Sequence, residues 1–201
     1  MAILPARHVE VKGATVLIRS ATEADAPALI ALDLEVVAAG VGTIYEPGEV
    51  NEDVEARRRK VRRLLDAPRS HLIVAEHGGH VIGEASFRAG HSRRTHHHGL
   101  LGLSVAAAWR NRGVGRALMT ALIGWCRDHP DIERVCLWVF SNNEPALALY
   151  RSLGFVEEGR RVREIRLGPG KYCDDLVMAL FVKAAPQRPG SGGAGVARGA
   201  D

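Results

Sequence analysis

Trp109-Arg110-Asn111-Arg112-Gly113-Val114-Gly115-Arg116 is the stretch that decides how this chain folds. Just ahead of it, residues 100–106 form a short apolar run behind Gly99, the pattern of a buried strand. Just after it, Val114, Ala117, Leu118, Ala121, Leu122 and Trp125 recur at helical spacing on one face. The stretch therefore predicts a strand, a basic glycine turn and a helix start. Gly113 and Gly115 let the backbone approach a ligand closely, and the first N–H groups of a helix have no intrahelical partner. Those donors and the positive end of the helix dipole favour a phosphate, and Arg110, Arg112 and Arg116 add charge.

Three phosphate loops compete for this pattern. A nucleoside-triphosphate loop requires GxxxxGK[ST], but Arg116 and Ala117 follow Gly115, so that reading fails. A dinucleotide fingerprint requires a third glycine where Leu118 stands, and no acidic ribose partner is clearly placed. An Arg-x-x-Gly-x-Gly pyrophosphate loop fits Arg110, Gly113 and Gly115. An ordinary tight strand-to-helix turn fits the same residues.

A second segment narrows the choice. Residues 134–139 are another β-prone run, followed by Ser141-Asn142-Asn143-Glu144-Pro145 and then Ala146-Leu147-Ala148-Leu149-Tyr150-Arg151-Ser152-Leu153-Gly154-Phe155. The asparagines and Pro145 mark a helix start and Gly154 its end, which puts Tyr150 near the last turn. The glycine loop, paired in this order with an N-x-x-A-x-x-L-Y-x-x-x-G-F segment, resembles the GNAT superfamily of acetyl-CoA-dependent N-acetyltransferases. The resemblance runs from about residue 15 to 182.

It implies an α/β (α+β) fold: a mostly antiparallel sheet of six or seven strands, splayed between strands 4 and 5 and flanked by about four helices. It also implies transfer of an acetyl group from acetyl-CoA to a primary amine, on a small molecule or a protein N-terminus, with direct attack in a ternary complex and coenzyme A as product. In such a fold the loop amides from Arg110 through Asn111, Arg112, Gly113, Val114 and Gly115 to Arg116 hold the diphosphate. The main chain of Leu103, Ser104 and Val105 pairs with the pantetheine arm as a strand edge would, and an amide near Val105 faces the developing oxyanion. Tyr150 takes the position that protonates the leaving thiolate, and Asn143 a cofactor-contact position.

The chain departs from the family pattern twice. Where many members place a glutamate base, near the start of the cofactor strand, this chain has Gly99. Glu84 on the preceding strand, or His98 or His96 just upstream, is then the candidate base, through water if needed. Asn111 replaces a usual glycine, and asparagine tolerates left-handed backbone. By the family's layout, the acceptor meets the first interhelix loop, with Tyr45, Glu46 and Glu49, and the final hairpin, with Arg160, Arg161, Arg163, Tyr172 and Asp174. Glu84 is also a candidate acceptor contact. The acids suit a cationic amine and the arginines a carboxylate. The two endings of these segments look like the bacterial branch acting on polyamines, amino acids and ribosomal-protein N-termini.

Composition agrees with one domain. At 201 residues the chain is long enough for one well-buried core and short for two. No run approaches the roughly 18–20 apolar residues of a membrane span, and residues 1–12 lack the apolar core of a secretory signal. Three scattered cysteines, Cys126, Cys136 and Cys173, share no metal or disulfide spacing and point to a reducing, cytoplasmic compartment. The net charge of +4 suits a polyanionic ligand. No metal is expected, although His91, His96, His97 and His98 form a tract that could collect one.

The remaining elements follow in order. Residues 1–13 are read as an N-terminal extension, and strands are expected at 15–19, 71–76 and 80–87, the last two joined at Gly78-Gly79. Thr22 and Asp25 cap a first helix reaching Ala39, and residues 51–66 form a charged second one. Its arginines (Arg57, Arg58, Arg59, Arg62, Arg63) are read as a solvated face rather than an RNA-contacting one, so a nucleic-acid partner is not expected. Residues 155–159 resume an extended run, 168–170 turn, and 175–181 make the last strand. The domain is placed at residues 1–183, and the Pro/Gly-rich segment 184–201 is expected to be a disordered tail. A homodimer is compatible with all of this. Two other classes remain open: an acyl-CoA-binding regulator without turnover, for which the glycine at position 99 speaks, and an RNA- or ribosome-associated protein.

Overall fold

Period-two alternation and glycine turns organise the chain into strands, and the computed structural model describes residues 4–183. The elements are β1 (Arg7–Val11), β2 (Ala14–Ser20), α1 (Ala26–Ala38), α2 (Val54–Asp66), β3 (Ser70–His77), β4 (His80–Ala89), β5 (His98–Val105), α3 (Val114–Asp128), β6 (Arg134–Phe140), α4 (Glu144–Ser152), β7 (Val156–Gly168) and β8 (Lys171–Phe181). They build one eight-stranded sheet ordered β1-β2-β3-β4-β5-β6-β8-β7. Every neighbouring pair is antiparallel except β5–β6. This is the mixed, mostly antiparallel sheet expected, with four helices and one strand more than the upper count.

The extra strand is β1. The segment that lacks the apolar core of a secretory signal alternates charged and apolar residues, which is the pattern of a half-buried strand. Arg7–Val11 pairs with β2 across a turn at Gly13, whose φ of +80° suits glycine. Residues 7–11 are thus an edge strand of the sheet rather than an extension outside it. β7 is also longer than the short run expected. Its charged residues 160–167 continue the strand through three register shifts, with Arg163 at φ +57°. A charged, bulged edge resists pairing with other chains. The tail at 184–201 lies outside the described residues.

The two faces of β3 show how the layers divide. Ile73 and Ala75 belong to the large core with Leu118, Leu122 and Trp125 of α3. Leu72 and Val74 pack instead with Leu29 of α1 and Val61 of α2. α3 therefore covers one side of the sheet and α1 and α2 the other, a three-layer arrangement. Leu118 and Leu122 are fully buried, and each would cost about 2–5 kcal/mol to truncate to alanine. No helix among the described residues is long and apolar enough to cross a membrane.

One discontinuity in the sheet creates the site. β5 and β6 pair only at His98↔Arg134, Gly99↔Val135 and Leu100↔Cys136. Beyond those pairs the strands diverge, while β5 keeps β4 as far as Val105 and β6 keeps β8 as far as Phe140. On the open side of β5, alternate main-chain groups between Leu101 and Val105 have no strand partner.

Candidate active site

α3 begins at the mouth of this opening. Its N-cap is Gly113, left-handed at φ 97°, and no side chain caps it. The first intrahelical bond is Ala117 N–H to Gly113 O, 2.9 Å. The N–H groups of Val114, Gly115 and Arg116 precede it without intrahelical partners, an arrangement whose geometry and dipole favour an anion. Asn111 takes φ 57°, as its tolerance for left-handed backbone predicted. The loop is braced by its own arginines. Arg110 Nε donates to Val105 O (3.1 Å), and Arg112 Nε donates to Lys12 O (3.1 Å) while its guanidinium lies 4.4 Å from the Trp109 ring centroid. Arg116 donates to Ser152 Oγ of α4 at 2.7 Å.

The opening continues into a cleft of about 1140 Å³. Leu103, Ser104, Val105, Arg110, Asn111, Gly113, Gly115, Arg116, Asn143 and Tyr150 all line it, as do Tyr45 and Glu84. The structure therefore brings most of the sequence-predicted residues to one cavity. Arg112 does not line it, because it is spent tying the loop to the β1–β2 turn. Val114 does not line it either, the whole residue being buried.

Other predicted residues fall elsewhere, Arg160, Arg161, Arg163 and Asp174 of the final hairpin among them. His98 lies at the closed end of β5, where β6 joins it, with its ring 5.0 Å from that of His97. Burial first, then His97 and Arg134, pulls its imidazole below the usual range. Tyr172 sits on the far hairpin with the Arg163 guanidinium 4.3 Å from its ring centroid, and its residue is 42% exposed. Glu46 does not line the cleft; its main-chain N–H donates to Glu49 Oε2 at 2.8 Å. Sequence order alone did not tell which end of β5 opens, and that decides against His98. His96 does not line the cleft either. Among the described residues no three His, Cys, Asp or Glu side chains gather as metal ligands.

Tyr150 projects from α4 with only 7% of its surface exposed and its ring 5.8 Å from Phe155. Its hydroxyl has no protein partner among the described residues, and burial pushes the phenol up to about 12. At neutral pH it holds its proton. Asn143 caps α4, its Oδ1 accepting from Ala146 N–H at 3.3 Å, which leaves Nδ2 for the cleft.

On the acceptor side stands a group the sequence did not reveal. Arg57 is 8% exposed; its Nη1 lies 3.0 Å from Asp33 Oδ2, and its Nη2 donates to Glu84 Oε2 at 3.0 Å. Burial raises the Glu84 carboxyl, Arg57 pulls it back, Asp33 pushes it up again and Lys60 lowers it. Burial likewise holds the Lys60 ammonium below its usual range. The missed signal was the stripe of α2: Arg57 stands one helical turn before buried Val61. Three other arginines of the run meet acids, Arg58 with Glu55 at 2.7 Å, Arg62 with Glu23 at 2.5 Å and Arg59 with Asp53 at 3.8 Å. Arg63 meets no acid among the described residues and lines the cleft instead, so the run is not one continuous free basic face.

Gly99 also changes meaning. A Cβ there would stand 2.3 Å from Arg88 O and 2.6 Å from the Phe87 ring. The position is glycine because β4 packs against it, so it is no vacated base.

Comparison with known proteins places the chain. The family described as acetyltransferase (GNAT) matches residues 33–155. The L-amino acid N-acetyltransferase AaaT of Escherichia coli (strain K12) is 35% identical over 117 residues, 58% of this chain and 72% of that protein. The structure of ribosomal-protein-alanine N-acetyltransferase from Brucella melitensis aligns at 30% identity with a TM-score of 0.68, covering 82% of this chain and 98% of that one. A phosphinothricin acetyltransferase from Sinorhizobium meliloti, solved with acetyl-CoA, aligns at 23% identity and a TM-score of 0.72, covering 83% and 88%. That last likeness is one of fold.

Proposed function

This chain belongs to the GNAT family of acetyltransferases, and on that premise we propose that its acceptor is a small α-amino acid or a close analogue, with Glu84 as base and Tyr150 as acid. The reaction moves the acetyl group of acetyl-CoA to an amine. The observation that carries the finer reading is the shared cleft. Glu84, Tyr150 and the free N–H end of α3 all open into it, and Lys60, Arg63 and Arg88 line it with no carboxylate partner among the described residues. Those cations suit the carboxylate of an amino acid, and the similarity to an L-amino acid N-acetyltransferase supports the same class.

The residues present fit the coenzyme. The uncapped N–H groups of Val114, Gly115 and Arg116 suit a diphosphate, and Arg110 and Arg116 add charge at the same rim. A Cβ on Gly115 would meet Leu149 Cδ2 at 3.4 Å and Leu103 Cδ2 at 3.5 Å, so glycine there keeps the passage from helix to strand open. The edge of Leu103, Ser104 and Val105, which β6 leaves without a strand partner, suits the amide arm, Val105 O also accepting from Arg110. Bound there, acetyl-CoA supplies an activated acyl group and a thiolate leaving group.

The chain's own residues then move two protons. An amino acid arrives as an ammonium and must lose a proton to become nucleophilic, and the Glu84 carboxylate accepts it. A carboxyl raised toward neutrality is a stronger base than an ordinary one, which is what burial gives Glu84. Tyr150 gives its phenolic proton to the departing sulfur as the C–S bond breaks, and the second proton shed by the newly acylated nitrogen restores the phenol. Its partner-free hydroxyl is available for that bond, and its raised pKa keeps it loaded. The three unpaired thiols, Cys126, Cys136 and Cys173, accord with a cytoplasmic setting.

The acceptor class is tested with matched L-amino acids and their carboxamides in a thiol-release assay. The acids should exceed the amides by at least about tenfold in kcat/KM, one well-placed charge contact being worth about 1.4 kcal/mol or more. Lys60→Met should shrink that ratio. Equal rates for acids and amides would remove the amino-acid reading, and selective turnover of peptide N-termini would replace it.

A further inference from the structure

The arginine run of α2 contains one member that the amine chemistry above does not use. Arg57 occupies the buried stripe of its helix, one turn before Val61, so its guanidinium reaches across the sheet surface into the cleft. There it bridges two carboxylates from different elements, Asp33 of α1 and Glu84 of β4, each at 3.0 Å. Its side chain is 9% exposed and that of Glu84 17%, so this pair is poorly screened by solvent. The Nε of Arg57 is buried without a hydrogen-bond partner. A buried donor left unmet is costly, so the fold accepts a penalty to hold this guanidinium here.

The groups facing Glu84 are few. α2 presents Arg57 and Lys60, α1 presents Asp33, and Arg88 lies further along β4 on the same face. From the flanking strands the register partners are Ser104 and Val74, neither charged. A carboxylate taken out of water without a cation reverts to the neutral acid, which accepts no proton. A carboxylate paired with a full guanidinium of its own becomes a weak base. The shared bridge lies between those extremes.

We propose that Arg57 is a positioning residue for acetyl transfer, holding Glu84 ionised and aimed into the cleft, and that Asp33 moderates it by drawing on the same guanidinium. The proposal rests on Glu84 being the base, and it deepens that reading by naming what sets the base strength. Arg57 acts through Glu84.

The test is the pH dependence of kcat/KM in the full chain. Glu84→Gln should erase the ascending limb, which tests the base itself. Arg57→Gln should move the midpoint of that limb upward by about one pH unit, the lower end of what an adjacent opposite charge contributes. Asp33→Asn should move it downward, because Glu84 then loses a repelling carboxylate and gains the whole guanidinium. Arg57→Lys keeps the charge and should hold the midpoint close to that of the unsubstituted chain while lowering kcat. A residue that merely supported the fold would lower kcat at every pH and leave the midpoint in place. The 13C carboxyl titration of Glu84 in the free protein, assigned by its loss in Glu84→Gln, should show the same opposite displacements; if Arg57→Gln does not fold, Asp33→Asn alone decides. If Glu84→Gln erases the limb but Asp33→Asn leaves the midpoint unmoved or raises it, the bridge has no such role and the base stands. If Glu84→Gln keeps the limb, base and bridge both fall.

Discussion

Tyr150 shows what one residue can be asked to do. Its phenol is buried, partner-free in the protein and raised to about 12, so it stays protonated through the whole range of ordinary assays. Tyr150→Phe should lower kcat about 100-fold, the low end for a lost general acid, while the coenzyme A Kd stays within about twofold. Calorimetry beside steady-state kinetics separates these, and a parallel loss of affinity and turnover would make Tyr150 structural. At the alkaline end the wild-type profile should stay flat to about pH 10, with no descending limb from this group. Tyr150 and Asn143 were legible in the sequence because a helix start and end fixed their positions along one short segment. Glu84 was legible as a candidate through its place one strand earlier. Arg57 was not, because a run of arginines reads as surface until each is set against the helix stripe, where only Arg57 shares a face with Val61.

Among the elements, the strand–turn–helix at the centre was legible almost entirely, because its signals are local. An apolar run, glycines at the turn and a 3.6-residue period all lie within one stretch of sequence. Gly113 is where this local chemistry matters most. Its φ of 97° costs an L side chain about 1–2 kcal/mol, and the space around it is open, with the nearest atom to an added Cβ 3.9 Å away. Gly113→Ala should therefore strain the cradle without a clash, weaken coenzyme A binding about tenfold by calorimetry, and lower the melting temperature by about 2–8 °C. Unchanged affinity would mean that the helix end is not the anion site. β1 and the long β7 were less legible, since charged residues alternating on an edge strand look like a solvated segment until a neighbour supplies the ladder. Gly99 needed the partner strand as well. Only β4, at 2.3 Å from a would-be Cβ, shows that the position is closed to any side chain.

The whole molecule works by a break in its own sheet. Three register pairs join β5 to β6, and beyond them the halves part, so that α3 offers main-chain donors on one wall and α4 brings Tyr150 to the other. α1 and α2, packed on the opposite face from α3, deliver Asp33, Arg57 and Lys60 to the acceptor end. The order of strands followed from resemblance, but which end of β5 opens is a property of the assembled sheet. That is why His98, adjacent in sequence to the cofactor strand, stands outside the cleft while Glu84 lies within it. The most direct measurement on the assembled molecule is thiol release from acetyl-CoA, followed with and without a saturating L-amino acid. Two substrates meeting in one cleft should give release that depends on the acceptor and saturates in both. Release at the same rate without any acceptor, or coenzyme binding with no release for any amine, would contradict it.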